Sequence, residues 1–174
     1  MPEYNIAIGE VVSIADTDFI VLDITEESVL CLTKNFAFEG SSRFDANINN
    51  YAKSEIRDKL KNIFFKKLAD KIGNDNFVEM EINLLTDDGL DEYGKISECF
   101  GLLTCDMYRK YNRIIERYPV QNWWWLATAY STSHRGYPRC VRCVNSGGSL
   151  RYYDCDYCNG VRPFVNFKSS FFNL

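Results

Sequence analysis

The feature that most limits this chain is a run of 36 residues, from Ala127 to Arg162, without a single Lys, Glu, Gln, Met or Trp. Residues 1–126 contain 27 of those five types. If positions were independent draws at that rate, such an absence would arise roughly once in several thousand trials. Tyr, Ser, Arg, Asp, Asn, Cys, Gly and His fill the run instead. It follows Trp123-Trp124-Trp125-Leu126 and ends in Gly160-Val161-Arg162-Pro163. It has no helical periodicity. Cys140–Val144, Ser149–Tyr153 and Val161–Phe167 alternate or are β-rich, and Asn145-Ser146-Gly147-Gly148 and Asn159-Gly160 read as the turns between them. The alphabet has been narrowed here, and the rest of the chain reads as the scaffold beneath it.

That scaffold has a mixed pattern. Residues 4–33 read as antiparallel strands: Val11 to Ile14, Phe19 to Ile24 and Ser28 to Leu32, broken by polar turns. Residues 36–50 are polar and rich in Asn and Ser, as in a loop. Ser54 caps a helix whose apolar face is expected to carry Ile56, Leu60, Ile63, Phe64 and Leu68, with Gly73 as its stop. Lys59, Lys61, Lys66 and Lys67 lie mostly off that face, interspersed with acids, as on a solvated surface. Phe77 to Leu85 and Ile96 to Leu103 read as strands. Asp87, Asp88 and Asp91 lack the spacing of a calcium loop and read as a turn. Thr104 caps a second helix to about Ile115, with Met107, Tyr111, Ile114 and Ile115 on one face, and Pro119 ends it. Two helices among antiparallel strands make an α+β pattern. No linker or repeat divides residues 1–174, so a single domain is expected.

The composition removes several function classes. A net charge of −4 opposes non-specific nucleic-acid binding. No run is long and apolar enough to insert in a membrane. The opening MPEYNIAIGEVVSIAD has no basic region before an apolar core, so no secretory signal is expected, and a place on a virion or cell surface would need another protein as carrier. The 7 Cys are an odd number and fit a disulfide framework poorly. Cys31, Cys99 and Cys105 have apolar neighbours and read as small buried hydrophobes.

Trp124-Trp125-Leu126, Val144-Asn145-Ser146-Gly147-Gly148-Ser149-Leu150 and Gly160-Val161-Arg162-Pro163-Phe164 resemble the motifs of a family of C-type-lectin-like domains in bacteria, archaea and their viruses, mostly of unknown function. Val21-Leu22-Asp23-Ile24, the stretch from Ser54 to Leu60, and Phe100-Gly101-Leu102-Leu103-Thr104 are similar to it as well, so the resemblance covers nearly the whole chain. It implies a C-type-lectin-like fold with Trp124, Trp125, Leu126, Gly148, Gly160 and Arg162 in the scaffold. Some proteins of this fold are variable proteins of diversity-generating retroelements, in which a reverse transcriptase miscopies adenines of a template that then replaces the end of the target gene. An Asn codon AAC treated in this way becomes any codon ending in C. That set includes Tyr, Ser, Asp, Cys, Arg, His and Gly, and excludes Lys, Glu, Gln, Met and Trp. The genetic code thus accounts for the alphabet over 127–162 independently of the motifs.

The resemblance implies a binding protein and no enzyme, with residues 129–158 turned toward an unknown protein or surface-glycan ligand, and no cofactor. The expected ligand-binding residues are Tyr130, Ser131, Ser133, His134, Arg135, Tyr137, Arg139, Cys140, Arg142, Cys143, Arg151, Tyr153, Asp154, Cys155, Asp156, Tyr157 and Cys158, with Tyr152 among the aromatic anchors. Tyr and Arg give contact area at low entropic cost, and Ser, Gly and Asn give adaptable hydrogen bonds. Variation without collapse requires these residues to be exposed while Trp124, Leu126, Val144, Leu150, Val161 and Phe164 form the core beneath. Of the three Trp, only one or two can be fully buried.

Three chemical readings compete. Cys140-x2-Cys143-x11-Cys155-x2-Cys158 has the form of a four-thiolate zinc site in a structural module, and a disulfide among these four is a further option. His134, the only histidine, would have to serve any Ser-His-Asp or Cys-His arrangement. Cys155 and Cys158 imitate the copper-binding pair of formylglycine-generating oxidases, which share the lectin-like fold and a similar Gly-x-Arg. The longer motifs of that family are missing. So are the Glu-Pro-Asn and Trp-Asn-Asp triplets of calcium-dependent sugar binding.

Overall fold

The computed structural model describes residues 6–173; positions 4 and 5 of the expected strand region lie outside that range. Strands β1 (Val11–Ile14), β2 (Thr17–Ile24) and β3 (Ser28–Thr33) form a meander, followed by the two-residue β4 (Ser42–Arg43). A helical run then comprises α1 (Glu55–Lys59), a π-helical stretch (Leu60–Phe65) and α2 (Lys66–Ile72). After it come β5 (Met80–Asn83), β6 (Lys95–Glu98), β7 (Phe100–Leu102) and helix α3 (Cys105–Ile115). The last third holds β8 (Trp124–Ala129), β9 (Cys140–Val144), β10 (Leu150–Asp154), β11 (Cys158–Asn159) and β12 (Pro163–Lys168). The architecture is α+β, with strands paired antiparallel throughout. No helix among the described residues is long and apolar enough to cross a membrane.

The main sheet has the order β1-β2-β3-β12-β7. β12 lies between β3 and β7, with Phe164 opposite Leu32 and Gly101. Phe19, Ile20, Val21 and Leu22 are all buried. Neighbouring residues of a strand point to opposite faces, so both faces of β2 are covered. The excursion from β4 to β11 leaves this open sheet and returns to its edge as β7, and the chain rejoins it at β12. A second sheet, β10-β9-β8, and two short pairs, β11-β4 and β5-β6, are built within that excursion.

Several local expectations need correction. The 36–50 loop contains β4, whose partner is β11. Residues 96–103 are not one strand but two, β6 and β7, in different sheets. Ser54 does cap the first helical run, its Oγ accepting from the Arg57 N–H at 3.3 Å, and Gly73 ends it at φ +91°. Its buried face is different, however: Ile63 is exposed and Phe64 only half-buried. The π-helical turn is the cause. Spacing of five replaces spacing of three and four, and the face passes from Leu60 to Phe65, whose ring stacks on Phe100 at 4.5 Å. In α3, Thr104 caps by accepting from Met107, and the buried residues are Cys105, Tyr108, Tyr111 and Ile115. Met107 and Ile114 are half-buried.

Candidate ligand-binding face

The base of the narrowed segment is apolar and tightly held. Trp124 and Trp125 are buried, while Trp123 is half-buried against Tyr153. The Trp125 indole N–H donates to the Ser42 carbonyl at 2.8 Å, and its ring meets Phe44 edge-on. Trp124 meets Tyr108 of α3 in the same manner. Leu126, Val144, Val161 and Phe164 are buried; Leu150, expected beside them, is half-buried because β10 is an edge strand. Gly160 admits no side chain, since a Cβ there would lie 2.4 Å from the Phe36 ring. Gly148 is exposed and holds the β9–β10 turn at φ +85°.

Above this base the backbone is pinned from outside the segment. Asn49 is fully buried, and its side-chain amide donates to the carbonyls of Ser131, Tyr137 and Cys140 at 2.8, 3.0 and 2.9 Å. The Asn49 N–H donates to the Pro138 carbonyl, and Tyr93 fixes the amide by donating to its Oδ1 at 2.6 Å. The N–H groups of Phe44 and Asp45 both donate to the Cys155 carbonyl. The Asp87 N–H donates to Ala129, and the Tyr108 hydroxyl to Gly148 at 2.6 Å. Apart from the Tyr93 bond to Asn49, each of these bonds ends on a main-chain carbonyl, which every residue type carries. Asn49 and Tyr93 carry no periodic or motif signal, whereas Tyr108 falls on the helical spacing of Cys105, Tyr111 and Ile115; only the Asn- and Ser-rich composition over 36–50 marked the Asn49 loop.

The display residues divide by exposure. Ser133, His134, Arg135, Tyr137, Arg151, Tyr152, Asp156, Tyr157 and Cys158 are exposed. Tyr130, Arg139, Cys140, Arg142, Tyr153 and Asp154 are half-buried. Ser131, Cys143 and Cys155 are buried and do not belong to a contact surface. Ser131 is a brace, its hydroxyl donating to Asp88 at 2.7 Å. Cys143 lies opposite Trp125 on the covered face of β9, and Cys155 lies beneath the Phe44–Asp45 backbone that bonds its carbonyl.

The exposed aromatics form two clusters. Tyr152 and Tyr153 are adjacent on β10 and therefore point to opposite faces of its sheet. Tyr130 packs against Tyr137 and Tyr152, with ring centroids 5.1 and 4.9 Å apart, and the Arg142 guanidinium lies 5.8 Å from the Tyr130 ring. On the other side Tyr153 stacks on Tyr157 at 4.3 Å and leans on Trp123. Acids anchor the flanking cations. Asp88 takes Arg135 at 2.9 Å, Asp87 takes Arg109 and Arg142, and Asp154 and Asp156 share Arg139. The Thr86 hydroxyl, with those of Ser131 and the Arg135 guanidinium, holds the Asp88 carboxyl down at about 2. The Arg139 bond likewise lowers the Asp154 carboxyl and raises the arginine. The acidic turn over 86–91 is thus a support for the display loop.

The four clustered cysteines are not brought together, and no group of three or more His, Cys, Asp or Glu among the described residues is placed to hold a metal. Cys140 and Cys143 are three apart on a regular strand, so their thiols point to opposite faces of β9. A C-x2-C pair chelates from a turn and cannot do so from a strand. All seven cysteines are free thiols. Burial pushes Cys143 up to about 12, and Cys155 and Cys99 to about 11, so they are protonated at neutral pH. Cys155 is buried and Cys158 exposed. His134 stands exposed in the short turn Ser133–Arg135. Neither the cavity of about 360 Å³ between the β1–β2 turn and the π-helical stretch nor the more open one of about 470 Å³ over Asn62 to Lys71 includes a residue of 127–162. Compared with known proteins, the chain matches no family model, no curated protein and no solved structure at a significant level.

Proposed function

We propose that this protein is a ligand-binding variable protein with a C-type-lectin-like scaffold, diversified over residues 127–162 by a retroelement, and that it catalyses no reaction. The observation that carries this reading is the way the segment is held. The bonds from Asn49, Phe44, Asp45, Asp87 and Tyr108 end on its carbonyls, so side chains can change while the backbone stays in place. The chain topology supports it too, because β7 and β12 pair side by side in the main sheet and the segment lies in the chain between them.

The surface chemistry suits contact with a macromolecule. Of the six large hydrophobic side chains that are exposed among the described residues, three are Tyr137, Tyr152 and Tyr157, at 47%, 53% and 52%. Rigid exposed tyrosines flanked by arginines make broad contacts at low entropic cost. The larger cavities lie outside the segment, which favours a protein or surface glycan over a small metabolite.

The DNA beside the gene provides the test. A near-copy of the last ~120 bases, differing only where the copy has adenine and lying near a reverse-transcriptase gene, is the expected finding. Absence of any such copy would remove the explanation of the alphabet and overturn the reading.

A further inference from the structure

Arg162 closes the narrowed segment and is almost completely enclosed, at 1% exposure. Its guanidinium carries five N–H groups. Nε donates to the Thr33 carbonyl at 2.9 Å, and Nη2 donates to the carbonyls of Lys34 and Tyr118 at 2.9 and 3.0 Å. Those bonds use three of the five. Nη1 has no partner among the described residues, and no carboxylate pairs with the cation. The guanidinium lies 5.4 Å from the Trp124 ring, which contributes a weak cation–π attraction and no counter-charge. A buried cation left without an anion is costly, and burial accordingly draws Arg162 down to about 10.

Arg162 also forms part of the wall of a cavity of about 110 Å³, together with Tyr108, Glu116, Trp124, Val144 and Gly148. Since Nε and Nη2 face carbonyls of the scaffold, Nη1 is the part of the group left for the cavity. The polar wall opposite is the exposed β9–β10 turn, and Glu116 at the rim is turned to Arg113 at 3.5 Å. A water occupies about 30 Å³ in the liquid, so the space admits one carboxylate group with a water or two. With Nε and Nη2 already bonded, Nη1 offers one charge-assisted donor nitrogen, which a carboxylate oxygen can accept.

We propose that this cavity is a carboxylate-binding site, with Arg162 Nη1 as the donor and the Trp124 ring as its floor. The site stands beside the display face; Tyr108, Ile115, Glu116, Pro119, Val120 and Trp124 of its wall lie outside 127–162, and Val144 to Gly148 with Arg162 lie inside it. It holds whether or not the retroelement reading does. The carboxylate comes either from a free small acid or from an acidic side chain of a partner.

The test is an NMR titration of the intact protein at constant ionic strength. It follows the Trp124 indole N–H and the Gly147 and Gly148 amides. Four probes are compared: acetate, acetamide, acetyl-Gly-Glu-Gly-amide and acetyl-Gly-Gln-Gly-amide. Arg162→Gln would also break three scaffold bonds and risks unfolding, so Glu116→Gln serves as the variant. Saturable shifts with acetate or the Glu peptide, absent with their neutral counterparts and tightened about three- to tenfold by E116Q, are expected, because a rim charge repels the anion. Response to acetate alone identifies a free acid as the source, and response to the Glu peptide a partner's side chain. Equal response to charged and neutral probes, no saturation with either carboxylate, or an affinity unmoved by E116Q overturns the proposal.

Discussion

The five-stranded sheet and the segment over 130–158 are held by different means. In the sheet, β2, β3 and β12 are fixed by ladder bonds and by side chains buried on both faces, so nearly every residue is specified by its neighbours. In the segment, β9 and β10 share a ladder, donors from distant loops bond the carbonyls around it, and most side chains are left facing water. The first arrangement tolerates little substitution. The second separates the position of the chain from the identity of its side chains, and it concentrates that burden on a few residues, Asn49 first among them.

The largest expected effect lies in the shared base. Trp125→Ala removes a buried ring and its bond to Ser42, and should destabilise the whole protein by about 3–5 kcal/mol in urea unfolding. A loss under about 1 kcal/mol would mean that the base is not common to both regions. Asn49→Ala comes next. It leaves three carbonyls without their donor and should cost about 2–4 kcal/mol, with hydrogen exchange of residues 131–140 rising well before that of β2 and β3. Asn49→Asp, which keeps the shape and removes the donors, should do the same. Uniform loss of protection across both regions would break the distinction between them.

Tyr137→Ser, Tyr152→Ser and Tyr157→Ser, by contrast, should each change stability by no more than about 0.5 kcal/mol while reducing ligand capture. A cooperative loss of stability in the triple variant would show that these rings belong to the core. The smallest effect concerns acid. The Asp88 carboxyl has its folded value drawn down to about 2, below an ordinary value of about 4. Its bonds to Thr86, Ser131 and Arg135 are therefore fully present above about pH 4 and lost as pH falls toward 2. Amide exchange over 131–135 should quicken in that window, and Asp88→Asn should abolish the pH step.

Where local chemistry decided the structure, it was legible in advance. Thr104 and Ser54 cap their helices by the bonds their hydroxyls were expected to make, and Gly73 ends the first run. β9 occupies the five residues from Cys140 to Val144 that the alternation marked. Two failures have a common origin. The π-helical turn at Leu60–Phe65 is imposed by Phe65 packing on Phe77 and Phe100, partners no periodicity within the helix reveals. The C-x2-C pair at Cys140 and Cys143 has metal-ligand spacing, but the strand beneath it turns the thiols apart.

The candidate face shows the same boundary. Composition alone identified 127–162 as a segment under a separate constraint, since the count of residue types needs no coordinates. Alternation and turn chemistry placed its strands, because those are properties of neighbouring residues. Only the tertiary structure decided that Ser131, Cys143 and Cys155 turn inward, that Tyr152 meets Tyr130 while Tyr153 meets Tyr157 and Trp123, and that Asn49 reaches carbonyls 82, 88 and 91 positions away. Exposure and polar pinning are set by which distant backbone comes within about 3 Å, and a sequence lists its neighbours along the chain, not across the space it folds into.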